Sequence, residues 1–145
     1  GAVARQSDKA GSSGALLDSV LDRYSESVIF LGLLTHFFKT GHFLAVTFTF
    51  MSIIGSLLVS YIRARAEGLN IECRVGVMQR SERIVLLAAG LMLSHWKVFG
   101  EAWPVLGSTP VLVLVLGLLA VLSNVTAVHR LIFSYAELHR VHRSP

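Results

Sequence analysis

The sequence predicts an all-α protein, a polytopic bundle of four transmembrane helices in a single domain over residues 1–145. Of the 145 residues, 53% are hydrophobic and only 15% are charged, whereas a soluble domain carries about 25% charged residues. Two segments, residues 40–62 and 102–129, contain no Asp, Glu, Lys or Arg, and each exceeds the roughly 20 residues with which a helix crosses a bilayer. Neither alternates with a period of two, so helices are expected rather than a closed barrel. The single Cys73 excludes an internal disulfide and a four-thiolate zinc site.

The four helices are expected at residues 14–38, 42–66, 80–96 and 107–138. The second and fourth contain the two long uncharged segments, and the fourth is longer than a bilayer requires, so its end should emerge into water. The first and third contain uncharged segments of only 12 and 13 residues, so they reach spanning length only by including charged residues. Those charged residues are Asp18, Asp22, Glu26, Glu82 and Arg83. Charged side chains are costly in a membrane helix, which makes these five residues conspicuous.

Basic residues indicate how the helices are oriented. Ten of the 13 lie near the start of the chain, around the connection between the second and third helices, or at the end, whereas the two alternate connections carry only Lys39 and Lys97. By the positive-inside rule the first group is cytoplasmic. We therefore expect a multi-pass protein of the plasma membrane. A nucleic-acid partner is not expected, because anionic lipid headgroups account for the net charge of +4.

Two carboxylates lie one turn apart on the first helix. Asp18 and Asp22 share a face with Gly14, because residues four apart stack on a helix. Two neighbouring carboxylates repel each other, and a hard divalent cation such as Mg²⁺ would relieve that repulsion. The alternative is that each forms an ordinary ion pair with Arg23 or Lys9, and the spacing alone leaves both interpretations open.

The start of the chain resembles a family signature. The match covers six residues at fixed spacing: Gly1, Ala4, Arg5, Gly14, Asp18 and Asp22. This pattern resembles the signature of the CDP-alcohol phosphatidyltransferases, whose full form begins with two further aspartates. Both would fall before Gly1, so we expect the chain to be a fragment that contains four of the family's six helices. We also expect this fragment alone to be impaired in activity.

The resemblance implies an activity and a role for each matched residue. The family transfers a phosphatidyl group from CDP-diacylglycerol, or a related CDP-linked archaeal lipid, to an alcohol and releases CMP. By this resemblance Asp18 and Asp22 are ligands of Mg²⁺ or Mn²⁺, and Asp22 is also the catalytic base. The remaining matched residues would line the cytidine diphosphate site: Gly1, Ala4, Arg5 and Gly14. The active site would face the cytoplasm.

A second resemblance concerns the acceptor. Residues 60–67, with the sequence SYIRARAE, and the later pair Glu82-Arg83 are similar to the phosphatidylinositol phosphate synthases of actinobacteria and their archaeal counterparts. The resemblance implies that Arg63, Arg83 and Arg130 bind the phosphate of an inositol phosphate acceptor. Arginine suits this role because its guanidinium grips phosphate in a bidentate manner. Glycerol 3-phosphate would satisfy the same requirement.

Other interpretations remain open. One is a phosphatidylglycerophosphate synthase-like enzyme that uses glycerol 3-phosphate. Another is a non-catalytic four-helix membrane subunit or transporter, in which Asp18, Asp22 and Arg130 form a transport path or structural ion pairs. The resemblance favours a homodimer. Three serines at four-residue spacing, Ser52, Ser56 and Ser60, form a serine stripe that offers a helix contact either within one chain or between two.

Overall fold

The computed structural model of the chain describes residues 2–73, 75–76, 78, 80–94 and 109–141, with the backbone alone for residues 2–12, 80 and 141. Within these ranges the structure contains four α-helices and no strand. The helices are α1 (Ala2–Lys39), α2 (Phe43–Glu67), α3 (Arg80–Leu93) and α4 (Pro110–Val141). The predicted all-α fold and the number of helices are confirmed.

Of the predicted helix boundaries that the described residues test, all but the start of α1 lie within three residues of the observed ones. α2 begins one residue later and ends one residue later than predicted. The predicted end of α3 at residue 96 and the predicted start of α4 at residue 107 fall outside the described residues. The predicted start of α1 at residue 14 is wrong, because the helix begins at Ala2. Half of residues 2–13 are Ala, Arg, Gln or Lys, which favour helix. They do not belong to the apolar segment from which the position of α1 was predicted.

Two of the described helices are long and apolar enough to cross a membrane. These are α2, with a mean hydropathy of 2.0, and α4, with a mean hydropathy of 2.6 over residues Pro110–Arg140. At a rise of about 1.5 Å per residue, the described α3 is about 21 Å long, shorter than a hydrocarbon core of about 30 Å. That α1 and α3 also cross the membrane therefore stays a prediction.

A residue in the left-handed conformation follows the end of α1, and another follows the end of α2. Gly41 has a φ of 75°, and the amide of His42 donates to the carbonyl of Phe37. After α2, which is capped by Gly68, Asn70 has a φ of 58° in the turn that follows, and the amide of Ile71 donates to the carbonyl of Ala66. Gly and Asn are the residues that adopt this conformation at least cost. These caps fix where α1 turns into α2 and where the loop after α2 begins.

Close packing of α2 against α4 forms the centre of the bundle. A Cβ atom placed on Gly55 would lie 2.7 Å from the Cβ of Ser123 and 3.0 Å from the backbone nitrogen of Asn124. The side-chain amide of Asn124 donates to the carbonyl of Met51 at 3.0 Å. The absence of a side chain at residue 55 thus brings the two backbones together, as small residues do between membrane helices.

The serine stripe of α2 contributes to the same contact. Ser52 and Ser56 are buried, and the Ser52 hydroxyl donates to the carbonyl of Leu116 on α4 at 3.1 Å. Of the two contacts proposed from the sequence, the structure shows the one within a chain. The apolar side of the bundle is completed by side chains from all four helices and the loop before α3: Phe30, Leu33 and Phe37, Ala45, Met78, Leu87, and Leu112, Val113, Leu116 and Leu119.

We predict that Gly55→Ala destabilises the bundle. The added methyl group would overlap Ser123, and overpacking of this kind costs about 1–3 kcal/mol. Gly32→Ala is the matched control, because no described atom lies within 4 Å of a Cβ placed there and alanine favours helix by about 1 kcal/mol. Thermal unfolding in detergent should show a lower Tm for Gly55→Ala and an unchanged or higher Tm for Gly32→Ala. A Tm for Gly55→Ala at or above that of Gly32→Ala would contradict this packing.

Candidate functional site

A polar cleft of about 420 Å³ lies among the four helices. Charged side chains from every helix line it: Asp22, Arg23 and Glu26 of α1, Arg63 and Glu67 of α2, Arg83 of α3 and Arg130 of α4. These residues are separated by up to 108 positions in sequence. The structure thus brings the predicted base and the three predicted phosphate-binding arginines into one cavity.

The remaining predicted site residues lie along α1 toward its start. Asp18 is exposed and Asp22 is half-buried, and only Asp22 lines the cleft. Gly14 is exposed, with no described atom within 4 Å of the position of a Cβ. The backbones of Ala4 and Arg5 lie in the first turns of α1, whereas Gly1 is outside the described residues.

The carboxylates of α1 offer part of a metal site. Asp18 and Asp22 are separated by one turn, about 6 Å along the helix axis. Among the described residues, no three His, Cys, Asp or Glu side chains are grouped to hold a metal ion. Mg²⁺ commonly uses only one or two protein carboxylates and takes its other oxygen ligands from water and substrate phosphates. The pair therefore fits a divalent cation that is shared with a phosphate ligand.

The predicted alternative for these carboxylates was an ion pair with Arg23 or Lys9. The side chain of Lys9 lies outside the described atoms. Arg23 lines the cleft, and its Nη1 donates to the backbone carbonyl of Ser19, one turn earlier on α1. This bond holds the guanidinium against its own helix, next to the cleft.

Arg83 forms a buried ion pair with Glu26. The Nε atom donates to Oε1 at 3.0 Å and Nη2 donates to Oε2 at 3.2 Å, and the exposed fractions of the two side chains are 3% and 9%. Two parallel bonds of this kind fix both the distance and the plane of the guanidinium. The pair connects α1 to α3 across 57 positions of sequence.

Sequence analysis placed Glu26 on the first helix but missed its partner. The sequence places Glu26 on the same face as Asp18 and Asp22, because it continues their four-residue repeat. The spacing identifies the face of the helix, but it carries no information about which arginine meets that face. Only the packing of α3 near α1 identifies Arg83 as the partner.

Arg130 lies within α4 and binds backbone carbonyl groups. Its Nε donates to the carbonyl of Val75 at 2.7 Å and its Nη1 donates to the carbonyl of Val59 at 3.0 Å. The loop passes close to the guanidinium at Gly76, where a Cβ would lie 3.2 Å from Nε. The φ of 122° at Gly76 also suits glycine. Arg130 thereby ties the loop after α2 to both α2 and α4.

Arg63 is held much more loosely than Arg83 or Arg130. Its Nε donates to Oε1 of Glu67, one turn later on α2, at 2.8 Å, and the two side chains are 52% and 53% exposed. An exposed pair at this spacing contributes only about 0.3–0.5 kcal/mol. Arg63 can therefore leave Glu67 for another anion at little cost.

Comparison with known proteins gives a consistent result. The family model described as CDP-alcohol phosphatidyltransferase matches residues 1–133. The chain is 40% identical over 95 residues to the archaetidylinositol phosphate synthase of Methanothermobacter thermautotrophicus, covering 66% of this chain and 46% of that protein. It is 36% identical over 132 residues to the phosphatidylinositol phosphate synthase of Mycobacterium marinum, covering 90% and 53%. The chain spans about half the length of the curated relatives it matches.

Solved structures show the same similarity in three dimensions. The phosphatidylinositol phosphate synthase of Mycobacterium tuberculosis with CDP-DAG bound matches with a TM-score of 0.72 and 32% identity, over 84% of this chain and 58% of that one. The same protein in complex with manganese and citrate matches with a TM-score of 0.69 and 31% identity, over 84% and 56%. The helices that form the cleft therefore have the arrangement of a solved membrane-enzyme fold.

We predict that Arg130→Lys loosens the loop after α2. Lysine cannot reproduce the forked pair of bonds to the carbonyls of Val75 and Val59, and a hydrogen bond to a charged group contributes about 1.5–3 kcal/mol. Hydrogen exchange measured by mass spectrometry should be about tenfold faster across residues 68–76. Arg140→Lys is the matched control, because the Arg140 side chain is 80% exposed and pairs with Glu137 at 3.5 Å. Equal exchange in the two variants would show that Arg130 does not hold this loop.

Proposed function

The chain belongs to the CDP-alcohol phosphatidyltransferase family, and we propose that it forms part of an enzyme of phospholipid biosynthesis. In the proposed reaction the phosphatidyl group of CDP-diacylglycerol, or of a CDP-linked archaeal lipid, is transferred to inositol phosphate, and CMP is released. The observation that carries this proposal is the cleft in which Asp22 lies among Arg63, Arg83 and Arg130. A carboxylate beside three guanidinium groups suits an acceptor that has both a phosphate and a hydroxyl group.

The three arginines support a phosphorylated acceptor. Buried hydrogen bonds hold Arg83 and Arg130 in position, whereas the Arg63 side chain is half-exposed. A phosphate monoester accepts bidentate hydrogen bonds from such groups, and a free polyol offers no equivalent charge. Relatives named for the synthesis of inositol phosphate lipids favour inositol phosphate over glycerol 3-phosphate as this acceptor.

We assign the donor to the part of α1 that precedes Asp22. Gly14 leaves open space beside the helix, and the structure of a relative contains CDP-DAG. We propose that Gly14 lines the cytidine diphosphate site. Ala4 and Arg5 lie about 14–15 Å before Gly14 along α1, so the described helix does not bring them beside it, and their assignment to this site, like that of Gly1, rests on the family resemblance. The acceptor and the donor would then approach Asp22 from opposite directions.

Asp18 and Asp22 would hold the divalent cation, Mg²⁺ or Mn²⁺. When bound, the cation would neutralise the charge of the donor diphosphate. A relative's structure in complex with manganese supports this assignment. A carboxylate oxygen of Asp22 would accept the proton of the acceptor hydroxyl. The hydroxyl oxygen would then bond to the phosphatidyl phosphorus while the bond between that phosphorus and the oxygen of the leaving CMP breaks. The arginines make this transfer possible because they hold the acceptor in the cleft that Asp22 lines.

We propose that the cleft opens at the cytoplasmic face of the plasma membrane. Arg63 lies near the end of α2 and Arg83 near the start of α3, so both lie beside the basic connection between these helices. Arg130 lies 20 residues after the start of α4, about the length needed to cross from the opposite side. The positive-inside rule places this end of the bundle in the cytoplasm.

We predict that the complete gene product releases CMP from CDP-diacylglycerol in the presence of Mg²⁺ or Mn²⁺ and inositol phosphate. The rate with free inositol should be at least about 100-fold lower, because an acceptor that lacks the phosphate forms none of the charged hydrogen bonds that the arginines would make to it. Glycerol 3-phosphate is the third substrate in the comparison, and a higher rate with it would identify it as the acceptor. CMP release can be measured by chromatography. Absence of release with all three would contradict the proposed activity.

We predict that Asp22→Asn lowers kcat by about 10²–10⁴-fold, the usual contribution of a general base, and leaves the fold intact. The amide has nearly the same shape as the carboxylate but cannot accept the hydroxyl proton. Glu137→Gln is the control, because Glu137 pairs with Arg140 at the exposed end of α4. This variant should have a normal kcat. The Tm of both variants should match that of the wild type. Normal turnover by Asp22→Asn would remove the proposed base.

A further inference from the structure

The guanidinium of Arg83 is bonded along one edge only. Its Nε and Nη2 atoms donate to the two oxygens of Glu26, and a guanidinium has five N–H groups. No other described residue bonds to it. The second edge, formed by Nη1 and the remaining N–H of Nη2, is therefore available to an anion in the cleft that Arg83 lines.

Burial leaves the Arg83 side chain little room to move, so its two bonds to Glu26 decide which way the guanidinium faces. Side chains that are 3% and 9% exposed have little room for other rotamers in a packed bundle. Arg63 differs, because it is half-exposed and paired with Glu67 on its own helix. The cleft thus combines one arginine of fixed orientation with one that is free to follow a ligand.

The charge of Glu26 would weaken anion binding if charge alone decided affinity. A carboxylate in the wall of the cleft repels a phosphate and neutralises the arginine that should attract it. A buried arginine without a partner is costly, however, and would be drawn toward any other acceptor. The benefit of Glu26 must therefore come from the direction that it imposes on the guanidinium.

We propose that Glu26 is a positioning residue that sets the specificity for a phosphorylated acceptor. Glu26 holds the Nε–Nη2 edge of Arg83. The second edge, formed by Nη1 and the remaining N–H of Nη2, is then presented to the acceptor phosphate in the cleft. No contact between Glu26 and the substrate is required. This inference rests on the proposed function, and it adds to that function a second residue on which the recognition of phosphate depends.

The sign of the change in KM tests this proposal. Glu26→Gln in the complete gene product keeps the size of the side chain but removes the charge and one acceptor oxygen. Loss of one charged hydrogen bond should raise the KM for inositol phosphate about tenfold, with the KM for CDP-diacylglycerol unchanged. Glu67→Gln removes the same charge from the same cleft, and by releasing Arg63 it should lower the KM for inositol phosphate by up to about twofold. A KM that falls or stays constant in Glu26→Gln would overturn the proposal.

A second variant covers the case in which Glu26→Gln does not fold. Glu26→Asp keeps the negative charge, and its side chain is one methylene shorter, so the guanidinium would be drawn toward α1. The KM for inositol phosphate should rise several-fold while the Tm stays near that of the wild type. An unchanged KM in a folded Glu26→Asp protein would overturn the proposal as well.

A binding measurement separates failure of this inference from failure of the proposed function. Inorganic phosphate serves as the probe, and the rise in Tm with phosphate concentration reports its binding. Glu26→Gln should require about tenfold more phosphate than the wild type for the same rise. If the wild type releases no CMP with any acceptor, the proposed function fails, and the two phosphate titrations then decide the role of Glu26. Identical titrations would reject it.

Discussion

The ion pair between Glu26 and Arg83 is the constraint on which the site depends. It joins α1, which carries the aspartates, to α3, which carries one of the three arginines. Removing either partner of a buried pair costs about 3–5 kcal/mol, because the other charge is left without compensation. The distance between the two helices at the cleft is therefore set by electrostatics as well as by apolar packing. The arginine that we propose to bind the acceptor phosphate is thus held in place by a carboxylate of another helix.

The contact between α2 and α4 supports this arrangement from behind. Gly55 and Ser52 let the two helices approach closely, so that Arg63 and Arg130 face the same cavity. Arg130 also holds the loop after α2 through the carbonyl of Val75. Arg130 is therefore bonded to the loop that precedes α3 in the chain, and it lines the same cavity as Arg63 and Arg83. The three arginines are thus linked structurally before any ligand is considered.

Hydropathy was sufficient to predict the helices, and the family resemblance selected most residues of the candidate site. The uncharged segments located α2 to within one residue at each end, but they missed the polar start of α1, because helix propensity rather than hydropathy determines it. The resemblance of the motifs selected Arg63, Arg83 and Arg130, which the structure brings together. The partners of Arg83 and Arg130 could not be predicted. One lies 57 residues away, and the others are backbone carbonyls 55 and 71 residues away, so they arise only from tertiary packing.

The most direct test of the account is a structure of the complete gene product with inositol phosphate bound, determined in a lipid nanodisc. The account predicts that the phosphate lies in the cleft, within hydrogen-bonding distance of Nη1 of Arg83, while Glu26 still binds the Nε–Nη2 edge. Asp22 should face a hydroxyl group of the same ligand. A phosphate bound outside the cleft, or an Arg83 that has left Glu26 to reach it, would contradict the account.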